Sequence, residues 1–163
     1  MKKFRCILVV GTTGTGKSHF VKNTIVKNYK GPKYIYDINN EYKDGIIMDF
    51  SKFLQAVKPV RRSLIIFEEA TIFLSNKGDS KELREILVAK RHRDNTVVLV
   101  FHSLRAIPTY IFDLSDLLVL FRTTDNWNLI SRKLDAFVDV LDAFVEIKEN
   151  GRKFARKLVY LRA

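Results

Sequence analysis

The sequence predicts an α/β fold: a mostly parallel β-sheet flanked by helices, with a C-terminal β-hairpin. Two observations carry this. Short apolar runs alternate with stretches of helical character, the pattern of strands joined by crossover helices. Several runs, such as Leu64-Ile65-Ile66-Phe67 and Val97-Val98-Leu99-Val100-Phe101, are apolar at consecutive positions, as in central strands buried on both faces.

The first run, Phe4 to Val10, leads into Gly11-Thr12-Thr13-Gly14-Thr15-Gly16-Lys17-Ser18, which satisfies G-x-x-x-x-G-K-[ST] at every fixed position. Glycines there let backbone N–H groups close around phosphate oxygens. Lys17 would reach the β- and γ-phosphates, and the Ser18 hydroxyl would ligate Mg²⁺. A helix expected from Ser18 to Tyr29 points the positive end of its dipole at the same place. The stretch therefore predicts a nucleoside triphosphate site, with ATP and Mg²⁺ as cofactors.

Lys30-Gly31-Pro32 ends that helix. Tyr34-Ile35-Tyr36 reads as the second strand, and Asp37 to Tyr42 as a polar cluster at the sheet's carboxyl edge, where α/β proteins bind ligands. Ile46 to Phe50 is short and apolar, and Ser51 is expected to cap a helix through Val57. Ser63 to Phe67 then runs into Glu68-Glu69. Two carboxylates at the end of a buried strand have the form of a Walker B element: the first holds the Mg²⁺ shell and the second polarises the attacking water. Acidic pairs also serve as plain helix caps, but an upstream P-loop favours the catalytic reading.

A helix is expected from Ser80 to about His92, with Leu83, Ile86 and Leu87 on its apolar face. Lys90-Arg91-His92-Arg93 at its end complements the helix dipole. The same guanidinium groups could instead serve as an arginine finger toward a neighbouring subunit's γ-phosphate. Thr96 to Phe101 forms the fourth strand, tipped by His102-Ser103, where a side chain can sense the γ-phosphate or orient water. His102 is not expected to bind zinc, because His19 and His92 stand at no metal-binding spacing. Leu117 to Phe121 supplies a fifth strand with Arg122 at its end. Helices are expected over 125–134, with Trp127 packed, and over 135–143. Phe144 to Glu149, an Asn150-Gly151 type I′ turn and Lys153 to Leu161 complete the reading as a hairpin.

At 163 residues and 47% hydrophobic content the chain is expected to form a single globular domain, 1–163, with a core over about 4–122 and an extension over 123–163. Its 29 Lys and Arg against 18 Asp and Glu give a formal charge of +11. Such an excess suits a polyanionic partner, although a solubilising surface would account for it too. Cys6 is the only cysteine, so an internal disulfide is excluded, and its place in a strand predicts a small buried hydrophobe. Lys2 and Lys3 before 6–10 only faintly imitate a signal peptide, and no run reaches transmembrane length. A soluble intracellular protein is expected.

The ordered motifs resemble the additional-strand class of P-loop ATPases, and within it the HerA/FtsK superfamily, especially small genome-packaging ATPases of viruses. Asp37-x-x-x-Glu41-Tyr42 is similar to the acidic segment after the second strand of HerA-type proteins. The Arg91-His92 pair before the fourth strand, the run from Val98 to Pro108 with its "I-P" loop, and 116–122 carry the rest. The likeness spans about 4–122. Two positions depart from the pattern: Glu68 stands where aspartate is usual, and His102 where a glutamine or small polar residue is.

The resemblance implies a RecA-like sheet and a homo-oligomeric ring of about five or six subunits, with ATP between subunits. It implies Glu69 as the water-orienting residue, Glu68 and Ser18 in the Mg²⁺ shell, and His102 as sensor. Arg91 or Arg93, and less directly Arg122, would be the trans finger. The activity implied is Mg²⁺-dependent ATP hydrolysis driving translocation of nucleic acid, chiefly double-stranded DNA gripped through its backbone. Capsid or portal protein would be a further partner, and the host cytoplasm or the virion the location. The alternatives are a phage assembly or secretion ATPase similar to zonula occludens toxin-like proteins, a small P-loop kinase, and a protein that binds ATP without turnover. A kinase would need an arginine-bearing lid that the sequence does not offer, and no L-S-G-G-Q-like signature supports an ABC-type ATPase.

Overall fold

The computed structural model describes residues 5–47 and 49–162. Phe4, expected to open the first strand, and Met48, within the apolar 46–50 run, lie outside the described residues. Among the described residues seven strands form one sheet: β1 (Cys6–Val10), β2 (Lys33–Tyr36), β3 (Ile46–Ile47), β4 (Leu64–Phe67), β5 (Thr96–Phe101), β6 (Leu117–Phe121) and β7 (Arg156–Tyr160). Their spatial order is β3-β2-β4-β5-β1-β6-β7. All pairings are parallel except the last, in which Leu117–Phe121 runs against Arg156–Tyr160. β5 therefore lies between the P-loop strand β1 and the carboxylate strand β4.

β1, β4, β5 and β6 are buried at every position, which is why their sequences do not alternate. One face carries Leu8, Val10, Ile65, Phe67, Leu99 and Leu120. It is covered by α2 (Phe50–Val57), α3 (Lys77–Ala89), α4 (Thr109–Leu114), α5 (Trp127–Lys133) and α6 (Val138–Asn150). The other face, with Ile7, Val9, Ile66, Val100 and Val119, packs against the helix after the P-loop. That helix starts as α1 (Lys17–Phe20) and continues as a π-helical turn over Val21–Val26, with the Lys27 N–H bonded to the Lys22 carbonyl at 3.0 Å. At the end of the carboxylate strand, Phe67 meets Phe53 and Phe73 edge-on at 5.1 and 4.9 Å.

Several boundaries shift for local reasons. Asn76, whose side chain accepts from the Asp79 N–H at 2.8 Å, caps α3 and starts it ahead of Ser80. α3 stops at Ala89 rather than His92. Asp49 takes the cap position of α2 that had been given to Ser51. Asn126 caps α5 through the Asn128 N–H, and Trp127 is 43% exposed, with its ring stacked on Phe144.

The C-terminal antiparallel pair has a different partner from the one expected. Phe144 to Glu149 belongs to α6, with Val140, Ala143, Phe144 and Ile147 buried at helical spacing. Gly151, at φ 70°, is the left-handed residue that ends this helix rather than half of a type I′ turn. The return strand is present as β7, but it pairs with β6. Cys6 is fully buried, and burial pushes its thiol up to about 11. No described helix is long and apolar enough to cross a membrane.

Candidate nucleotide site

Parallel strands all deliver their ends to one edge, and β1, β2, β4 and β5 bring every predicted P-loop, Walker B and sensor residue there. The loop leaves β1 with the Gly11 N–H on the Phe101 carbonyl at 3.1 Å and the Thr12 N–H on the Arg122 carbonyl at 2.9 Å. Gly11 must be glycine: a Cβ would lie 2.6 Å from Cβ of Phe121 and 2.8 Å from Oγ1 of Thr15. Gly14 and Gly16 take φ of 79° and 98°, the left-handed turns that curl the loop. Inside it, the Thr15 hydroxyl donates to the Thr12 carbonyl at 2.7 Å, and Lys17 Nζ donates to the same oxygen at 3.0 Å. Lys17 is buried, which lowers its pKa against the opposing pull of Glu68, Glu69 and Glu41.

The Ser18 hydroxyl donates to Oε1 of Glu68 at 2.6 Å, so the residues expected to share Mg²⁺ already touch. A hydroxyl and a carboxylate are hard oxygen donors, and a magnesium site uses one or two carboxylates with waters and phosphate oxygens completing the shell. The donor set fits that ion. The other oxygen, Oε2, accepts from the Tyr42 phenol at 2.6 Å. Glu68 is 5% exposed, and burial raises its pKa although both hydrogen bonds pull the other way. Burial beside Glu68 also raises the Tyr42 phenol pKa.

Glu69 points to the other side of the strand end. Its Oε2 lies 2.6 Å from Nε2 of His102, and its Oε1 accepts from the Thr71 hydroxyl. β4 and β5 are neighbours in register from Leu64 and Thr96 to Phe67 and Leu99, so their tips place these two side chains together. The cleft they share with Thr13, Gly14, Ser18 and Asn39 has a volume of about 330 Å³. Its composition can bind a triphosphate at one end and hold a water beside a carboxylate–imidazole pair at the other.

A second cleft of about 480 Å³ continues from Gly16 along α1, between Phe20, Phe121, Phe154 and Arg156. Phe154, 62% exposed, borders both clefts, and the Arg156 guanidinium lies over the Phe20 ring, 5.2 Å from its centroid. This is a base-sized apolar space beside a phosphate loop.

Arg91 and Arg93 are not in either cleft. Arg91 Nη2 lies 3.4 Å from Oδ1 of Asp116, whose other oxygen accepts from the backbone of Arg5 and Cys6 at the start of β1. Both arginines thus sit at the amino edge of the sheet, opposite the P-loop, and Lys90 between helix and turn is buried with Nζ on the Leu87 carbonyl. Arg122 is exposed beside the P-loop, where its carbonyl holds Thr12.

Sequence reasoning missed the contact of Tyr42 with Glu68, although it flagged the segment. Asp37 positions Tyr42 for that contact: its carboxylate accepts from the N–H groups of Asn39 at 3.2 Å and Tyr42 at 2.8 Å. It also missed Phe20, Phe154 and Arg156, which are isolated side chains with no motif around them.

No protein-family model matches the chain, and no curated protein sequence matches it. Solved structures do. The genome-packaging NTPase B204 from Sulfolobus turreted icosahedral virus 2, in complex with ATPγS, matches with a TM-score of 0.77 at 21% identity, over 99% of this chain and 94% of that one. Its sulfate complex gives 0.78 at 20% identity over 99% and 93%. B204 from Sulfolobus turreted icosahedral virus, a DNA-packaging ATPase, gives 0.75 at 14% identity over 96% and 92%. The chain shares their P-loop NTPase fold.

Proposed function

We propose that this chain is an ATP-hydrolysing motor of the HerA/FtsK type that moves nucleic acid, most directly double-stranded DNA into a viral capsid. The observation that carries the reading is that the Glu69–His102 pair and the Ser18–Glu68 pair line one cleft together with the P-loop. A carboxylate held by an imidazole beside the γ-phosphate position suits activation of water, which a kinase does not need. The fold shared with B204, solved with ATPγS and named for genome packaging, supports the same reading.

In this reading Lys17 exchanges the Thr12 carbonyl for phosphate oxygens, and Ser18 and Glu68 would hold Mg²⁺. Bound there, the ion would supply charge neutralisation to the triphosphate. Glu69 accepts a hydrogen bond from the attacking water, and His102 fixes the carboxylate's orientation. Phe154 and Phe20 enclose the base. The placement of Arg91 and Arg93 opposite the P-loop makes a finger possible only in trans, from a head-to-tail neighbour, the contact that closes a ring. Location in the virion or the host cytoplasm, and docking to capsid or portal protein, follow from the packaging role.

The test is steady-state ATP hydrolysis with and without long double-stranded DNA at low and moderate salt. Salt-sensitive stimulation, lost in Lys17→Ala and in Arg91→Ala, is the expected result. Robust turnover indifferent to DNA would favour an assembly or secretion ATPase, and turnover only with a small phosphate acceptor would mean a kinase.

A further inference from the structure

Two chain segments leave the nucleotide cleft at the carboxyl edge and meet again on the helix-covered side of the sheet. From Glu69 a 3₁₀ turn, Ala70–Leu74, leads to Ser75, Asn76 and the start of α3. From His102 a second short turn, Leu104–Ala106, leads to Pro108 and α4, which carries Tyr110. Asp125 pins this second segment, accepting from the Leu104 N–H at 2.8 Å and the Arg105 N–H at 3.2 Å. Between the two segments is a cleft of about 380 Å³, lined by Ser75, Lys77, Ser80, Lys81, Arg84 and Tyr110 among others.

The charges of α3 are segregated around this cleft. Lys77, Lys81 and Arg84 follow i, i+4, i+7 spacing and share the face toward Tyr110. The acidic side chains are on the face toward α2, where Glu82 accepts from Gln55 at 3.1 Å and Glu85 pairs with Lys58 at 2.7 Å. Asp79, the remaining carboxylate of the helix, is bonded to Asn76 rather than lining the cleft. Among the described residues no carboxylate lines the cleft, whereas three cations and two serines do. The Arg84 guanidinium lies over the Tyr110 ring, 5.1 Å from its centroid. The buried Tyr110 hydroxyl has no hydrogen-bond partner among the described residues.

We propose that this cleft grips the phosphodiester backbone of nucleic acid. The inference rests on the motor reading and adds to it the place of grip and its route to the chemistry. Lys77, Lys81 and Arg84 neutralise successive phosphates, Ser75 and Ser80 donate to their oxygens, and no base edge is read. A change at Glu69 or His102 on hydrolysis reaches the cleft through two turns of five and three residues.

The experiment compares the full chain with Lys77→Gln/Lys81→Gln/Arg84→Gln and with a control of equal charge, Lys27→Gln/Lys30→Gln/Lys52→Gln, distant from the cleft in sequence. Anisotropy of a labelled DNA duplex is read across a salt series, with fluorescent ATP binding as the check on folding. The cleft variant is expected to bind DNA at least tenfold more weakly, with the slope of log affinity against log salt smaller by about 2–3, and to keep its ATP affinity. The control should bind DNA nearly as the parent does. DNA binding by the parent with the same affinity and slope in the cleft variant, or an equal loss in the control, would overturn the cleft and leave the motor reading standing. A parent that binds neither DNA nor RNA would overturn both.

Discussion

Tyr42 donates its phenolic hydrogen to Oε2 of Glu68 at 2.6 Å, 26 residues away in sequence, while Ser18 donates to Oε1. The carboxylate is thus oriented from both sides. Hydrogen bonds to a charged acceptor contribute about 1.5–3 kcal/mol. Tyr42→Phe is therefore expected to lower stability by about that amount in chemical denaturation and to weaken Mg²⁺ dependence more than ATP affinity in EDTA. A variant as stable as the parent, with an unaltered Mg²⁺ titration, would show that the bond does not position Glu68.

Ionised Glu68 is a cost to the unliganded fold. Burial raises its pKa above the ordinary 4.5, so between that value and the raised one the folded chain holds a proton that the unfolded chain has released. Stability is therefore lost as pH climbs through this window. Glu68→Gln should raise the Tm at about pH 8, and the gain should shrink as pH falls through the window and vanish below the ordinary value. Scanning calorimetry at several pH values reads it, and a Tm lowered at alkaline pH would contradict it.

Gly11 and Gly14 fail differently. At Gly11 an added methyl meets the Phe121 side chain and Thr15 at under 3 Å, and overpacking of this kind costs about 1–3 kcal/mol. At Gly14 nothing is within 4 Å and only φ 79° resists, at about 1–2 kcal/mol. Gly11→Ala should lower both stability and ATP affinity, whereas Gly14→Ala should be rescued by Gly14→Asn, which tolerates the left-handed region better. Equal rescue at both positions would contradict the distinction.

Phe154→Ala should weaken ATP binding by about tenfold, since aromatic stacking on a base contributes about 1–3 kcal/mol. Inorganic triphosphate, which has no base, should bind the variant and the parent alike. A parallel loss for both ligands would place Phe154 on the phosphates instead.

The parts of the site legible in the sequence were those whose chemistry demands consecutive residues. The P-loop needs its glycines and Lys17-Ser18 in a row, and Glu68-Glu69 ends a strand too apolar to be anything but central. Only the resemblance implied an extra strand between the P-loop strand and the carboxylate strand, the place β5 takes. Contacts between distant segments were not legible: Tyr42 reaches Glu68 only through the turn that Asp37 folds, and Phe154 reaches Gly16 only once β7 pairs with β6. The C-terminal reading failed on one dipeptide. Asn150-Gly151 serves a tight hairpin or a helix end equally well, and the i, i+3, i+4, i+7 spacing from Val140 to Ile147 decides for the helix.

The most direct test of the account is single-turnover ATP hydrolysis by Glu69→Gln beside the parent, with bound nucleotide measured in the same samples. If Glu69 orients the attacking water, the variant keeps its ATP affinity and hydrolyses about 10²–10⁴-fold more slowly, the range for loss of a positioned general base. Hydrolysis at the parental rate in Glu69→Gln would contradict it.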